Sequence, residues 1–255
     1  MRTLELKRGA IYGPVDSRRL GSSLGINLSP TSYKLCTFNC LYCHYGWTKQ
    51  HTGNASPYLG DLPSVEQVRE SLEKWLKGSQ DRIDYITFSG NGEPAMHPDF
   101  DEMVEMALKV RDQYVPGAKL AILSNSTCLE NIKVQRALKK LDVRIMKLDC
   151  GTEETFRKIN RPCAGVKLEE VVERLKELDD IIVQTVFVQG RVSNAGDAEI
   201  EKWIERLCYI NPKEVQIYSI DRPSADRELA LVTKERLGQI ARKAEERCGV
   251  PVKVF

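Results

Sequence analysis

Three cysteines fall within eight residues, Cys36-Thr37-Phe38-Asn39-Cys40-Leu41-Tyr42-Cys43, in the spacing C-x3-C-x2-C. Thiolates this close can converge on one inorganic centre. A [4Fe–4S] cubane usually takes four cysteine ligands, so three would leave one iron open to an outside ligand. That suits a reactive cluster better than a pure electron carrier. A tetrahedral zinc site is the competing reading. It needs a fourth ligand, and His44, next to Cys43, is the nearest candidate. Five more cysteines (Cys128, Cys150, Cys163, Cys208 and Cys248) belong to no CxxC pair, so a second cluster has little support.

A second chemical signal is Ser89-Gly90-Asn91-Gly92-Glu93-Pro94. Its glycines permit tight turning and close approach to a ligand, Glu93 brings a carboxylate, and Pro94 stiffens the exit. Alone, such a turn reads as a connecting loop. Comparable polar residues end other apolar runs: Ser124-Asn125-Ser126, Lys147-Leu148-Asp149-Cys150-Gly151, Gln184-Thr185 and Tyr218-Ser219-Ile220-Asp221-Arg222-Pro223. Each by itself is equally well explained by capping or core packing. Their weight is collective, because they would share one end of successive strands.

The elements that must position them follow from periodicity. Helical patterns are expected over 64–77, 99–113, 129–140, 167–178, 197–210 and 233–247, and short β-branched or aliphatic runs at 24–27, 85–88, 120–123, 143–148, 181–188 and 215–218. Strands separated by helices of this length predict parallel pairing through right-handed crossovers. The expected fold is therefore α/β, an open, partial (β/α)6 TIM-like barrel of parallel strands, with its ligands at the C-terminal face of the strands. One domain is expected over 1–255: an N-terminal segment and first strand (1–30), a cluster-binding loop (31–48), and a C-terminal helix and tail (233–255). The aperiodic stretch 44–63 is expected to be a flexible flap.

Bulk composition is compatible with this. One β/α barrel uses about 250 residues, and this chain has 255, of which 42% are hydrophobic and 29% charged. The net charge of +2 argues against nucleic acid or an anionic membrane as partner. No run approaches the roughly 20 apolar residues that span a bilayer, and the opening Met-Arg-Thr-Leu-Glu-Leu-Lys-Arg has no apolar run of the kind a signal peptide needs. With eight cysteines, a reducing, cytoplasmic setting is expected, where thiols serve metals or chemistry and not disulfides.

The cysteine spacing, with an aromatic residue before the last cysteine, resembles the signature of the radical S-adenosylmethionine (SAM) superfamily. The turn Gly92-Glu93-Pro94 resembles that superfamily's Gly-Gly-Glu-Pro turn, with Asn91 in place of the first glycine. Tyr12-Gly13-Pro14-Val15, Ser17-Arg18-Arg19-Leu20-Gly21 and Phe156-Arg157-Lys158-Ile159-Asn160-Arg161-Pro162 resemble an uncharacterised Fe–S oxidoreductase group. That group is related to the wyosine-forming tRNA enzymes and is distantly similar to the molybdenum-cofactor cyclising enzymes.

The resemblance implies an enzyme in which Cys36, Cys40 and Cys43 hold a [4Fe–4S] cluster whose open iron binds SAM. It implies reductive cleavage of SAM to a 5′-deoxyadenosyl radical, which abstracts hydrogen from a small-molecule or nucleotide substrate. The implied SAM contacts are Tyr42, Gly90, Asn91, Gly92, Glu93, Ser124, Asn125, Lys147, Asp149, Gln184 and Tyr218. Arg18, Arg19 and Arg161 are candidate ligands for a substrate phosphate or carboxylate, with salt bridges from the N-terminal segment to the barrel as the alternative. Cys128, Cys150 and Cys163 are candidate hydrogen donors or covalent links, whereas Cys208 and Cys248 read as buried apolar groups. An electron donor such as flavodoxin or ferredoxin is implied. Activation of a glycyl-radical partner enzyme and modification of tRNA or peptide are the alternatives within the class. Outside it stands a non-enzymatic Fe–S or zinc-binding protein.

Overall fold

The computed structural model describes residues 3–255; the first two residues of the expected N-terminal segment lie outside them. Strands β1 (Ile11–Ser17) and β2 (Gly21–Ile26) form an antiparallel hairpin. Short strands β3 (Leu35–Cys36) and β4 (Gln50–His51) pair with each other. Then follow α1 (Val65–Gly78), β5 (Tyr85–Phe88), α2 (Phe100–Tyr114), β6 (Lys119–Ser124), α3 (Ile132–Leu138) and β7 (Val143–Lys147). The chain continues through α4 (Glu153–Ile159), α5 (Leu168–Lys176), β8 (Ile181–Gly190), α6 (Asp197–Ile210), β9 (Glu214–Ser219), β10 (Leu229–Leu231), α7 (Lys234–Cys248) and β11 (Val252–Val254).

The main sheet runs in the order β1-β2-β5-β6-β7-β8-β9-β11. Every neighbouring pair from β2 to β11 is parallel, which gives the six expected β/α strands in sequence order. The two sheet ends do not pair, so the fold is the open, barrel-like crescent predicted. Parallel strands are covered on both faces and therefore read as continuous apolar runs. Ile86, Leu120, Ile122, Val183 and Ile217 are accordingly all at 0% exposure. Trp203 of α6 fills the space behind β8, edge-on to Phe187 at 5.1 Å. Its indole nitrogen donates to Leu148 O at 3.1 Å.

Helix starts follow local chemistry. Ser64 and Gln67 form a reciprocal capping box on α1, and Thr152 and Thr233 cap α4 and α7, each satisfying amides that the first turn leaves free. The sequence pattern misses four features. Hairpin strand β1 is interrupted by Gly13-Pro14, which reads as a turn, and helix α4 buries only Phe156 and Ile159, too few positions to show a period. The C-terminal tail is a seventh parallel strand, β11. The segment 44–63 is no loose flap: it contains β4 and a 3₁₀ turn (Ser56–Asp61). It is tied down by Tyr58 Oη to Gln50 at 2.8 Å and by His51 Nε2 to Thr37 O at 3.2 Å.

The expectation of thiols without disulfides also fails at one point. Cys208 on α6 and Cys248 at the end of α7 are not buried apolar groups; they are bonded to each other across 40 residues of sequence. Adjacent packing of the two helices brings these positions together, a juxtaposition no local pattern encodes. Closing a loop of that length removes denatured-state freedom worth about 4 kcal/mol at most. Cys208→Ser is expected to lower unfolding free energy by up to this amount in oxidising buffer. With excess reductant present the variant and the parent should unfold together, and denaturant titration under both conditions checks it.

Candidate functional site

The cysteine loop leaves β3 and lies across the C-terminal ends of the strands, clamped from two sides. On one side Asn39 N donates to Asn160 O at 3.0 Å, Leu41 N to Ile159 O at 2.9 Å, and Cys163 N to Thr37 O at 2.8 Å. Phe38 meets Phe156 edge-on at 5.3 Å. The 156–162 motif thus serves as the loop's cradle. On the other side Ala225 N donates to Cys43 O at 3.0 Å and Asp226 N to Leu41 O at 2.9 Å.

Cys36 and Cys40 are buried, Cys43 is half-buried, and all three are free thiols. The side chain of Lys34, 5% exposed, ends beside the same loop, its Nζ donating to Gly46 O at 3.0 Å. Burial pushes Lys34 down, whereas negative charge on Cys43, Cys36 and Cys40 pushes it up, and with those cysteines charged the net direction is up. Burial also drives Cys36 up to about 11 and Cys40 up to about 12. Lys34 pulls both thiols down without overcoming burial, so a stronger positive charge such as a metal would be needed to make them thiolates. Among the described residues, no three His, Cys, Asp or Glu side chains close on a single-ion site. His44, the candidate fourth zinc ligand, turns instead to Pro223 O at 3.3 Å and lies 4.0 Å from Asp221.

Beside the loop is a cavity of about 230 Å³. Of the expected site residues, Cys36, Cys43, Tyr42, Gly92, Glu93, Ser124, Asn125, Lys147 and Tyr218 line it. Glu93 is 3% exposed and accepts from Asn125 N at 2.6 Å, Ser124 Oγ at 2.8 Å and Ala95 N at 3.1 Å. Burial nevertheless outweighs these donors and raises its pKa to about 7. Gly92 must be glycine: a Cβ there would stand 1.8 Å from the carbonyl oxygen of Leu35, the residue before the first cysteine. Gly90 takes the positive φ of 130°. Asn91 therefore needs no glycine-like backbone. Its side chain is spent on structure, bonded to Lys7 N at 2.7 Å, Lys7 O at 2.9 Å and Pro30 O at 3.0 Å.

Lys147 Nζ lies 2.9 Å from Asp149 Oδ1, but the alignment is too poor for a hydrogen bond, so its donors remain unspent. Burial lowers its pKa and Asp149 more than restores it, keeping an ammonium between the rings of Tyr42 and Tyr218 at 4.9 and 5.6 Å. Asp149 stands one layer behind the cavity wall, accepting from Tyr42 Oη, from Asn160 Nδ2 at 2.7 Å and from Val186 N at 2.9 Å.

Other expected residues are not brought to the wall. Gly90 and Asn91 sit behind the turn, and Gln184 is buried against Gln216 and Tyr218. Cys150 is at 0% exposure with its thiol toward Asn160. Cys128 packs against the core, and Cys163 opens onto a separate groove with Gly53 and Lys167. Arg18 pairs with Asp221 at 2.6 Å, the salt-bridge alternative. Arg161 stacks on Trp47 at 5.0 Å. Of the three arginines only Arg19 reaches the cavity region, 4.4 Å over the ring of Tyr218. Sequence reasoning missed Lys34 and Asn160. Lys34 was detectable: it stands two residues before Cys36 at a strand's start, and alternation puts both on one face. Asn160 carried no local signal, because its partner sulfur is 120 residues away.

This arrangement is an α/β fold with a cavity at the strand ends whose lining includes two thiols. Residues 31–188, more than half the chain, match the model of the radical SAM superfamily, and the chain belongs to that superfamily, whose members use a [4Fe–4S] cluster and SAM. A UPF0026 protein of Synechocystis is 29% identical over 267 residues, covering 96% of this chain and 95% of that protein. A Brachyspira hyodysenteriae protein named GTPase Obg is 27% identical over 98% of this chain, which spans only 35% of that longer protein. The structure of TYW1 with a lysine-pyruvate adduct superposes with a TM-score of 0.60 at 16% identity, covering 89% of this chain and 75% of that one. No helix among the described residues is long and apolar enough to cross a membrane.

Two outcomes follow from the site alone. Gly92→Ala is expected to cost about 3 kcal/mol, the upper end of overpacking penalties, because backbone and not a movable side chain blocks the new methyl; chemical denaturation reads it. Folded Glu93 keeps its proton until about pH 7, against an ordinary value of 4.5. The folded state therefore binds more protons between these values, and this contribution is fully present below 4.5 and lost as pH rises through 7. Stability of the metal-free protein should fall by roughly 3 kcal/mol at most across that window from this group, and Glu93→Gln should flatten the fall.

Proposed function

We propose that Cys36, Cys40 and Cys43 hold a [4Fe–4S] cluster and that SAM binds in the adjoining cavity. On this reading the chain is one catalytic unit acting on an anionic small-molecule or nucleotide substrate. The observation that carries the reading is that two of the three thiols, the Glu93 carboxyl and the Lys147 ammonium open onto one cavity at the strand ends. When bound and reduced, the cluster supplies one electron to the sulfonium of SAM, giving methionine and a 5′-deoxyadenosyl radical that takes hydrogen from substrate.

The protein's own residues do the positioning. Glu93, already gathering three donors, gives its carboxylate to the SAM ammonium; a cation there favours loss of the Glu93 proton. Lys147, held as an ammonium with unspent donors, suits a carboxylate or phosphate and not nucleophilic addition. Tyr42 and Tyr218 supply flat apolar walls for a nucleoside, and Asn125 and Ser124 polar contacts to it. Arg19 over Tyr218 extends the cationic side outward. Beyond it a second groove of about 670 Å³ shares Ile220 with the cavity and carries Arg222 and Arg227. This distribution supports an anionic substrate of modest size, and the near-neutral surface overall gives no long basic track for tRNA. An external one-electron donor such as flavodoxin or ferredoxin completes the reaction.

The test is anaerobic reconstitution with iron and sulfide, then dithionite and SAM. Release of 5′-deoxyadenosine is expected, lost entirely on replacing Cys36, Cys40 or Cys43 by Ala. Bound zinc without iron uptake, or a cluster that leaves SAM intact, would refute the reading and favour a non-enzymatic metal protein.

A further inference from the structure

Two of the three cysteine sulfurs have their own side-chain amide donor and a buried ammonium lies at the third cysteine's end of the loop, the three groups coming from separate places in the chain. Asn125, just after β6, sets Nδ2 3.5 Å from Cys36 Sγ and is fixed by Thr37 Oγ1 at 2.7 Å. Asn160, at the C-terminus of α4, sets Nδ2 3.6 Å from Cys40 Sγ and is fixed by Asp149 at 2.7 Å. Lys34, ahead of β3 and 5% exposed, is anchored through Nζ to Gly46 O at 3.0 Å, and Gly46 N bonds back to Cys43 O at 3.1 Å, which sets the ammonium at the Cys43 end of the loop.

A buried ammonium is costly unless negative charge lies beside it, and Lys34, 5% exposed, ends at Gly46 O beside the cysteine loop. Neutral thiols would offset little of that cost, whereas thiolates on an iron cluster would offset most of it. One-electron reduction adds a further negative charge to this enclosed volume. Donors aimed at cluster sulfurs, and a fixed positive charge among them, favour the more negative state and so raise the reduction potential.

We propose that Lys34, Asn125 and Asn160 are positioning residues that make the cluster of this chain easier to reduce, with the Lys34 ammonium as its internal counterion and the larger influence. The two amides tune it through single sulfurs. Asn160 also joins Cys40 to the Asp149–Lys147 pair at the cavity wall, so that cluster and ligand site share one buried polar chain. The proposal rests on the assignment of Cys36, Cys40 and Cys43 as ligands.

The experiment is a redox titration, followed by electron paramagnetic resonance, of the full chain reconstituted anaerobically without SAM, with iron counted first. A parent protein that takes up no iron overturns the ligand assignment and with it this proposal. With iron retained, Lys34→Gln should cut the reduced-to-oxidised ratio at fixed solution potential about tenfold, which for one electron is a 59 mV fall. Lys34→Arg, keeping the charge, should recover most of it. Asn160→Ser and Asn125→Ser should each lower the ratio about threefold. A Lys34→Gln protein with full iron and an unmoved midpoint overturns the proposal. Should Lys34→Gln take up no iron, the two asparagine variants decide: full iron and no shift in either overturns it. A merely structural role would reduce iron content without moving the midpoint.

Discussion

The clamp on the cysteine loop is the constraint from which the rest of the site follows. A short loop carrying three sulfurs has no regular structure of its own and would, if free, sample many arrangements at roughly 1–2 kcal/mol of entropy per ordered residue. Here its backbone amides and carbonyls are engaged by Ile159–Cys163 on one side and Ala225–Asp226 on the other. Both flanking segments are extensions of the sheet: one follows β7 through α4, the other follows β9. The order of the loop is thus borrowed from the packing of the strands beneath it.

Burial then decides the chemistry. Water is excluded from Cys36, Cys40 and Glu93, so each is pushed toward its neutral form. Of the two buried lysines, Lys147 is held as an ammonium by Asp149, while Lys34 keeps its charge most readily when its cysteine neighbours carry negative charge. The result is an enclosed site with fixed cations and acids whose charge depends on what binds. A cationic or metallic guest converts the acids to anions, while the two lysines are already placed for the negative charge that follows. In such a medium, electrostatic interactions exceed their strength in water several-fold.

The same logic explains the glycine turn and the asparagines. Gly92 is required because β3 passes so close that its carbonyl would collide with any side chain, and that contact keeps the Glu93 turn against the first cysteine. Asn91, a departure from the superfamily-like turn, is accommodated because it faces the N-terminal segment and spends its amide there. Asn125 and Asn160 have the same side chain and different duties: each bridges a sulfur to a second buried polar group, so neither can rotate away without stranding a partner.

Much of this molecule was legible in the linear chain. The alternation of apolar runs and amphipathic helices determined the parallel sheet, since a helix between two strands carries the chain back to start the next strand in the same direction. The cysteine spacing and the Gly92-Glu93 turn pointed to the cofactor chemistry, because ligand spacing and backbone permissiveness are local properties. What the tertiary structure alone decided is which distant groups meet: Lys34 among three thiols, Asn160 at Cys40, Asp149 behind Lys147, Cys208 against Cys248, and Arg161 drawn to Trp47 away from the cavity. These pairings depend on strand register and helix docking across tens to hundreds of residues, and no pattern within a short window of sequence carries that information.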